Sequence, residues 1–353
     1  MTNITQLPDG LYFGLSEDSY YGQHRFSASG VKSILVHPMK YWADSWMNPL
    51  KAEQVEEKEA QTVGKAYHKR ILEGASAFYD CYAPTFSAAE FPDALDTKDD
   101  LMQALDEIGI QYKKSAAKPE LIRIVREYLP HKLILQDLID NHKAKHGSQK
   151  TFLSPQLIAK IEHAGHMIEA EADIRNCFRG GYPEVSVLWT HNGVRMKSRF
   201  DYLKVRAFTD LKSYADRGRT IDYEIHGQVG FNKYHIQIAV YFEALKHAQQ
   251  FARDPNTNVT GHVDAEWLEE FAKTEDFGAY LVFQEKGPAA LVSGWQITQD
   301  DFGMALNMGW LTAEKAIAEY NRCWEKFGTE PWNESLGIRS LSDQLLPQST
   351  YDL

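Results

Sequence analysis

The segment "YPEVSVLWTHNGVRMKSRFDYLKVRAFTDLKSY", residues 182–214, constrains the fold more than any other part of the chain. Two apolar stretches flank Asn192-Gly193, the dipeptide that favours a tight type I′ turn, so they read as an antiparallel hairpin. A hairpin returns the end of its second strand to the start of its first. Glu184 and Asp201 stand at those two ends and are brought together. Nine residues after Asp201 comes Asp210-Leu211-Lys212, on a further strand, where residues two apart share a face. Three acids and a lysine therefore gather at one end of a sheet.

Carboxylates hold a hard divalent cation through their oxygens, and an ammonium beside them can hold or deprotonate an attacking water. That is the outline of metal-assisted phosphodiester hydrolysis. Taken alone, an Asp-x-Lys pair is more often a strand edge meeting solvent. Its neighbours add weight. In "VGFNKYHIQIAVYFEALKHAQQ" the apolar residues Ile236, Ala239, Val240 and Phe242 have helical spacing, which sets Gln237 and Tyr241 one turn apart on one face. "EAQTVGKAYHKRILEG" reads as a helix with His68 near its middle. By itself His68 is an ordinary helix histidine; beside the acids it becomes a candidate metal ligand or phosphate contact.

The order His68, Glu184, Asp201, Asp210-x-Lys212, Gln237-x-x-x-Tyr241 resembles the PD-(D/E)XK nuclease superfamily, in the branch with the RecB-type nuclease domain and the lambda-type exonucleases. The opening "GLYFGLSEDSYYGQHRFSASGVKSILVHPMKYW" and the segment "FNKYHIQIAVYFEAL" are similar to the exonuclease VIII (RecE) C-terminal nuclease domain. The likeness spans roughly residues 10 to 345. It implies an α/β, restriction-endonuclease-like core with a central mixed β-sheet flanked by helices. It further implies a magnesium-dependent exonuclease, with manganese as a possible substitute, that degrades double-stranded DNA from its ends. Carried over by resemblance, Asp201 and Asp210 are metal ligands with the Leu211 carbonyl, and Glu184 binds or orients metal water. Lys212 positions the nucleophile, His68 adds a ligand, and Gln237 and Tyr241 organise the site. The same resemblance implies 5′ to 3′ polarity, a 3′ tail passed to a single-strand annealing recombinase, a phage or prophage setting and a homo-oligomer. Two other readings stay open: a structure-specific or restriction-like endonuclease, and a noncatalytic DNA- or protein-binding module on a nuclease fold.

A formal net charge of -11 over 353 residues looks unsuited to DNA, but a basic channel can coexist with an acidic exterior. Arg217 and Arg219, just past the Asp210 strand, are candidate phosphate contacts, with a solvated loop as the plainer alternative. Cys81, Cys177 and Cys323 are too few and too scattered for a disulfide framework, a structural zinc site or a four-cysteine iron–sulfur cluster. With no export signal and no apolar run of membrane-spanning length, a reduced cytoplasm is expected.

Three parts are expected: residues 1–97 with the His68 helix, a helical insertion at 98–130, and the core with the metal site at 131–353. The insertion, "KDDLMQALDEIGIQYKKSAAKPELIRIVREYLP", reads as two short amphipathic helices and resembles the helix-extended-loop-helix modules related to SAP and LEM domains. Leu101, Leu105, Ile108, Leu121 and Ile124 would form a small core there. Lys113, Lys114 and Lys118 are candidate DNA contacts, although a basic loop is usually only solvated. Ser27 or Ser29 is expected to cap a helix running toward Tyr41, Trp42 and Trp46, which read as core. A final amphipathic helix is expected over 311–328, followed by a Pro- and Ser-containing tail packed on the surface or on another subunit.

Overall fold

A computed structural model describes residues 5–51, 59–147, 149–335 and 337. The chain divides into two units, Met1–Glu59 with Met167–Leu353, and Ala60–His166. Nine strands lie among the described residues: β1 (Gly10–Tyr12), β2 (Tyr82–Pro84), β3 (Thr151–Leu153), β4 (Gly181–His191), β5 (Val194–Lys204), β6 (Ala207–Tyr214), β7 (Asn258–Thr260), β8 (Gly278–Glu285) and β9 (Val292–Ile297). Seven of them form one mixed sheet in the first unit, in the order β7-β1-β4-β5-β6-β8-β9. β1 with β7 and β6 with β8 run parallel, and the other neighbours antiparallel. With its flanking helices this is an α/β fold of the restriction-endonuclease-like kind.

The β4–β5 hairpin forms as its turn chemistry dictates. Asn192 and Gly193 both take positive φ, 46° and 79°, as a type I′ turn requires, and His191 pairs with Val194 across it. At the other end the ladder is interrupted. Pro183 pairs with Tyr202 and Val185 with Phe200, but Glu184, between them, has a left-handed φ of 53°. The alternation of side chains slips there. Phe200 and Leu203, three apart, both join the main core, while Tyr202 turns away to meet Phe178.

That core lies under the Tyr234–Arg253 helix, whose Ile236, Val240, Ala244 and Ala248 are buried at helical spacing. Tyr241 packs its ring against Phe200 and Phe208 at 5.2 and 5.8 Å. Of the two serines expected to cap the first long segment, Ser27 does so, accepting the Gly30 N–H. Tyr41 and Trp42 are buried as expected. Trp46 is not: it is 42% exposed and stacks on His24. The final helix is longer than its sequence pattern suggests, Gln299–Phe327, with Thr298 as N-cap. A further helix, Ile221–Phe231, lies between Arg219 and the Tyr234–Arg253 helix; Gly227 and Gly230 and a weak apolar stripe obscure it in the sequence. Of the Pro- and Ser-containing tail, residues 329–335 and 337 are described, and Trp332 there is fully buried against Tyr41 and Tyr320; the remaining tail residues lie outside the described ones.

In the second unit the helices Lys98–Glu107 and Lys118–Tyr128 enclose a core of their own, built on Leu101, Leu105, Leu121, Val125 and Ile134. Thr97 and Asp100 form a capping box at its start. Ile108 lies past the last helical turn and is 46% exposed rather than in that core. His68 ends the helix Glu59–His68, and a π-helical turn, Lys69–Glu73, follows it directly before the helix Gly74–Cys81. Among the described residues no helix is long and apolar enough to cross a membrane.

Candidate active site

The acids and the lysine meet where β5 and β6 part. The β5–β6 ladder consists of Leu203 with Phe208 and Tyr202 with Thr209. Beyond those pairs the strands are linked instead by a side chain: Asp201 Oδ2 accepts the Leu211 backbone N–H at 2.7 Å. Across the interrupted part of the β4–β5 ladder, a carboxylate oxygen of Glu184 lies within 4.8 Å of one from Asp201. A non-glycine residue held in the left-handed region costs on the order of 1–3 kcal/mol, and facing like charges cost more. Backbone strain and charge repulsion thus coincide at one point of the sheet.

Asp210 is almost wholly buried, at 1% exposure. Its Oδ2 forms an ion pair with Lys212, and its Oδ1 accepts a hydrogen bond from Gln237 Nε2 at 3.2 Å. The same amide donates to the Tyr241 hydroxyl at 3.0 Å, so Tyr241, one turn on along the Tyr234–Arg253 helix, orients the Gln237 side chain that holds the carboxylate. Burial would push the Lys212 ammonium down, but the carboxylates of Asp210 and Asp201 outweigh it and hold its pKa above the ordinary lysine value. Burial, reinforced by those same two carboxylates, pushes the Tyr241 phenol well up, so it stays a neutral hydroxyl.

Several neighbours were not anticipated. Arg199 ion-pairs with Glu184 at 3.6 Å, donates to Ser186 Oγ at 2.8 Å and to the Leu15 carbonyl at 2.7 Å, and lies over the Tyr20 ring. Lys32 and Lys212 both approach the Tyr234 ring, at 5.4 and 4.9 Å. Burial, with Lys212 nearby, lowers the Lys32 pKa to about 8. One signal was available: Arg195, Lys197, Arg199 and Asp201 alternate along β5, a charged face leading to the site. Nothing local in the sequence marks Lys32 or Tyr234.

The remaining candidates stand as follows. Arg219 ion-pairs with Glu224 at 3.8 Å and stacks on Tyr223, and Arg217 is exposed. Lys113 and Lys114 are exposed in the loop between the two insertion helices, where Lys118 pairs with Asp96 at 3.3 Å. His68 is half-buried in the second unit.

As a donor set, Glu184, Asp201 and Asp210 with the Leu211 carbonyl offer only hard oxygens, which suits magnesium-class cations and not soft metals. Three carboxylates set against Lys212 and Arg199 leave one formal negative charge, a further reason for a cation to be welcome there. The residues present therefore fit a divalent ion.

The family model for a PDDEXK-like domain of unknown function (DUF3799) matches residues 27–257, well over half of the chain. Among solved structures the chain is similar to a presumed exonuclease from Eubacterium rectale, at 15% identity and a TM-score of 0.33, covering 67% of this chain and 85% of that one. It is also similar to the protein SSO0001, at 15% identity and a TM-score of 0.22, covering 62% of this chain and 83% of that one. No curated protein matches the sequence.

Proposed function

Because the chain belongs to the PDDEXK-like DUF3799 family, and so to the PD-(D/E)XK nuclease superfamily, we propose that it is a magnesium-dependent exonuclease that degrades duplex DNA from its ends. The observation that carries this is the meeting of Glu184, Asp201 and Asp210 with Lys212 where β5 and β6 part. Asp201, Asp210 and the Leu211 carbonyl would hold the cation, and Glu184 would bind or orient its water. Magnesium, or manganese in its place, would supply charge to stabilise the phosphorane-like transition state and the leaving oxygen.

The protein's own groups account for the rest. Lys212 has three N–H donors on an ammonium that lies over the Tyr234 ring, and it can fix the attacking water or a phosphate oxygen in line. Gln237, itself bonded to the Tyr241 hydroxyl, keeps Asp210 in one rotamer. Arg199 holds Glu184 from behind, so the strained residue does not swing away. Arg217, Arg219, Lys113 and Lys114 are proposed as phosphate contacts, and His68 as a further metal ligand. Polarity from 5′ to 3′, delivery of the 3′ tail to an annealing recombinase, a homo-oligomeric state and a cytoplasmic setting complete the reading and rest on resemblance to the RecE and lambda-type enzymes.

The test is digestion of linear duplex labelled separately at its 5′ and 3′ ends, beside a covalently closed circle. Early loss of the 5′ label with the circle intact supports the proposal. Cutting of the circle replaces it with an endonuclease.

A further inference from the structure

β4 carries chemistry at both ends. Glu184 lies near its start, and His191, its last residue, lies seven positions on, roughly 23 Å away at the strand rise of about 3.3 Å per residue. At that far end His191 meets Glu243 and His247, which stand one turn apart on the Tyr234–Arg253 helix. One ligand-capable atom from each of the three lies within 4.8 Å of the others. Three ligands on a tetrahedral zinc ion sit about 3.4 Å apart, given bonds of about 2.0–2.1 Å. Small side-chain rotations close the difference.

The surroundings favour a bound ion over a plain polar cluster. Trp189 stacks on His247 at 4.7 Å and Trp310 meets His191 edge-on at 5.1 Å, so aromatic rings fix both imidazoles. The buried Nε2 of His191 has no hydrogen-bond partner, a costly state for a half-buried histidine. Glu243 does not relieve it: the carboxylate, 17% exposed, pairs with the exposed Lys246 at 2.6 Å. Two imidazoles and one carboxylate suit zinc-class ions, in contrast to the all-oxygen donors at the other end of β4.

We propose that His191, Glu243 and His247 form a second metal site, for a zinc-class ion with a fourth position open to water. It would tie the tip of the β4–β5 hairpin to the helix that carries Gln237 and Tyr241. The bound ion acts as a brace, stabilising the folded state by mass action.

The test uses the full chain stripped with chelator, then titrated with cobalt(II) in excess magnesium, so that the carboxylate cluster is already filled. The expected result is one cobalt per chain with the intense visible bands of a tetrahedral nitrogen-ligated ion. These bands are lost in His247→Gln and Glu243→Gln and retained in Asp210→Asn. Zinc should raise the melting temperature of the wild type and of Asp210→Asn but of neither site variant. Should His247→Gln fail to fold by circular dichroism, Glu243→Gln, a near-isosteric change at a partly exposed position, carries the test alone. Absence of a stoichiometric cobalt site, or bands that survive Glu243→Gln, overturns the proposal.

Discussion

Replacing Lys212 by Met keeps the aliphatic stem and removes the ammonium, which isolates the ion pair with Asp210. Both partners are shielded, the lysine side chain being 15% exposed and the aspartate 2%. Removing one member of a buried pair costs about 3–5 kcal/mol, because the other charge is left uncompensated. Asp210 keeps the Gln237 amide at 3.2 Å, and water reaches the lysine end, so the lower part of that range applies, about 3 kcal/mol. At roughly 2–4 °C per kcal/mol for a large domain, the variant should melt about 6–12 °C below the wild type in chelator. A divalent cation supplies the missing positive charge. Magnesium should therefore raise the melting temperature of Lys212→Met more than that of the wild type, even though the variant cannot cleave. The double variant with Asp210→Asn should recover most of the loss, since both charges are then gone. Paired thermal melts with and without magnesium measure this directly. A Lys212→Met protein that melts with the wild type in chelator, and gains no more from magnesium, refutes the buried-pair argument.

Glu184 sits at a φ that favours glycine over alanine, so Glu184→Gly should be about 1 kcal/mol more stable than Glu184→Ala while both lose cleavage; equal stability would mean the strain is not there. Gln237→Ala, which frees Asp210 from its amide donor, should weaken magnesium-dependent activity by about 10–100-fold. Tyr241→Phe retains the ring contacts with Phe200 and Phe208 and should lose only about 1 kcal/mol of stability, as chemical denaturation would register. Lys197 donates to three backbone carbonyls, and burial, with Arg199 close by, lowers its pKa to about 8. The unfolded chain, with lysine near its usual value of about 10.4, then binds more protons than the folded one above pH 8, so stability should rise with pH from about 8 toward 10. In Lys197→Met the unfolding free energy should lose part of that slope; an unchanged slope would remove Lys197 as its source.

Most of the site is readable from sequence because it rests on local rules. Asn192-Gly193 fixes the hairpin, the hairpin juxtaposes Glu184 with Asp201, and four-residue spacing aligns Gln237 with Tyr241. What escapes such rules is long-range. Lys32 and Tyr234 reach the cluster from separate helices, and only tertiary packing sets them beside Lys212. The slip of alternation at Asp201 was equally hidden, because a left-handed glutamate inside a strand breaks the period-two expectation instead of announcing itself. Ile108 was misjudged by one helical position: apolar periodicity continues past the residue where the helix stops. The helix Ile221–Phe231 leaves no trace in the sequence pattern because its two glycines and mixed faces give no stripe to follow. The His191, Glu243 and His247 cluster joins a strand end to a helix some fifty residues later, a spacing that no short motif encodes.

Metal-dependent cleavage of DNA is proposed for the carboxylates at the parting of β5 and β6. It is tested most directly by following release of nucleotides from linear duplex with the wild type and Asp210→Asn, each in magnesium and in chelator. The expected result is release only by the wild type and only with the metal, with Asp210→Asn folded and inactive. Nucleotide release by folded Asp210→Asn at the wild-type rate, or by the wild type in chelator, would contradict it.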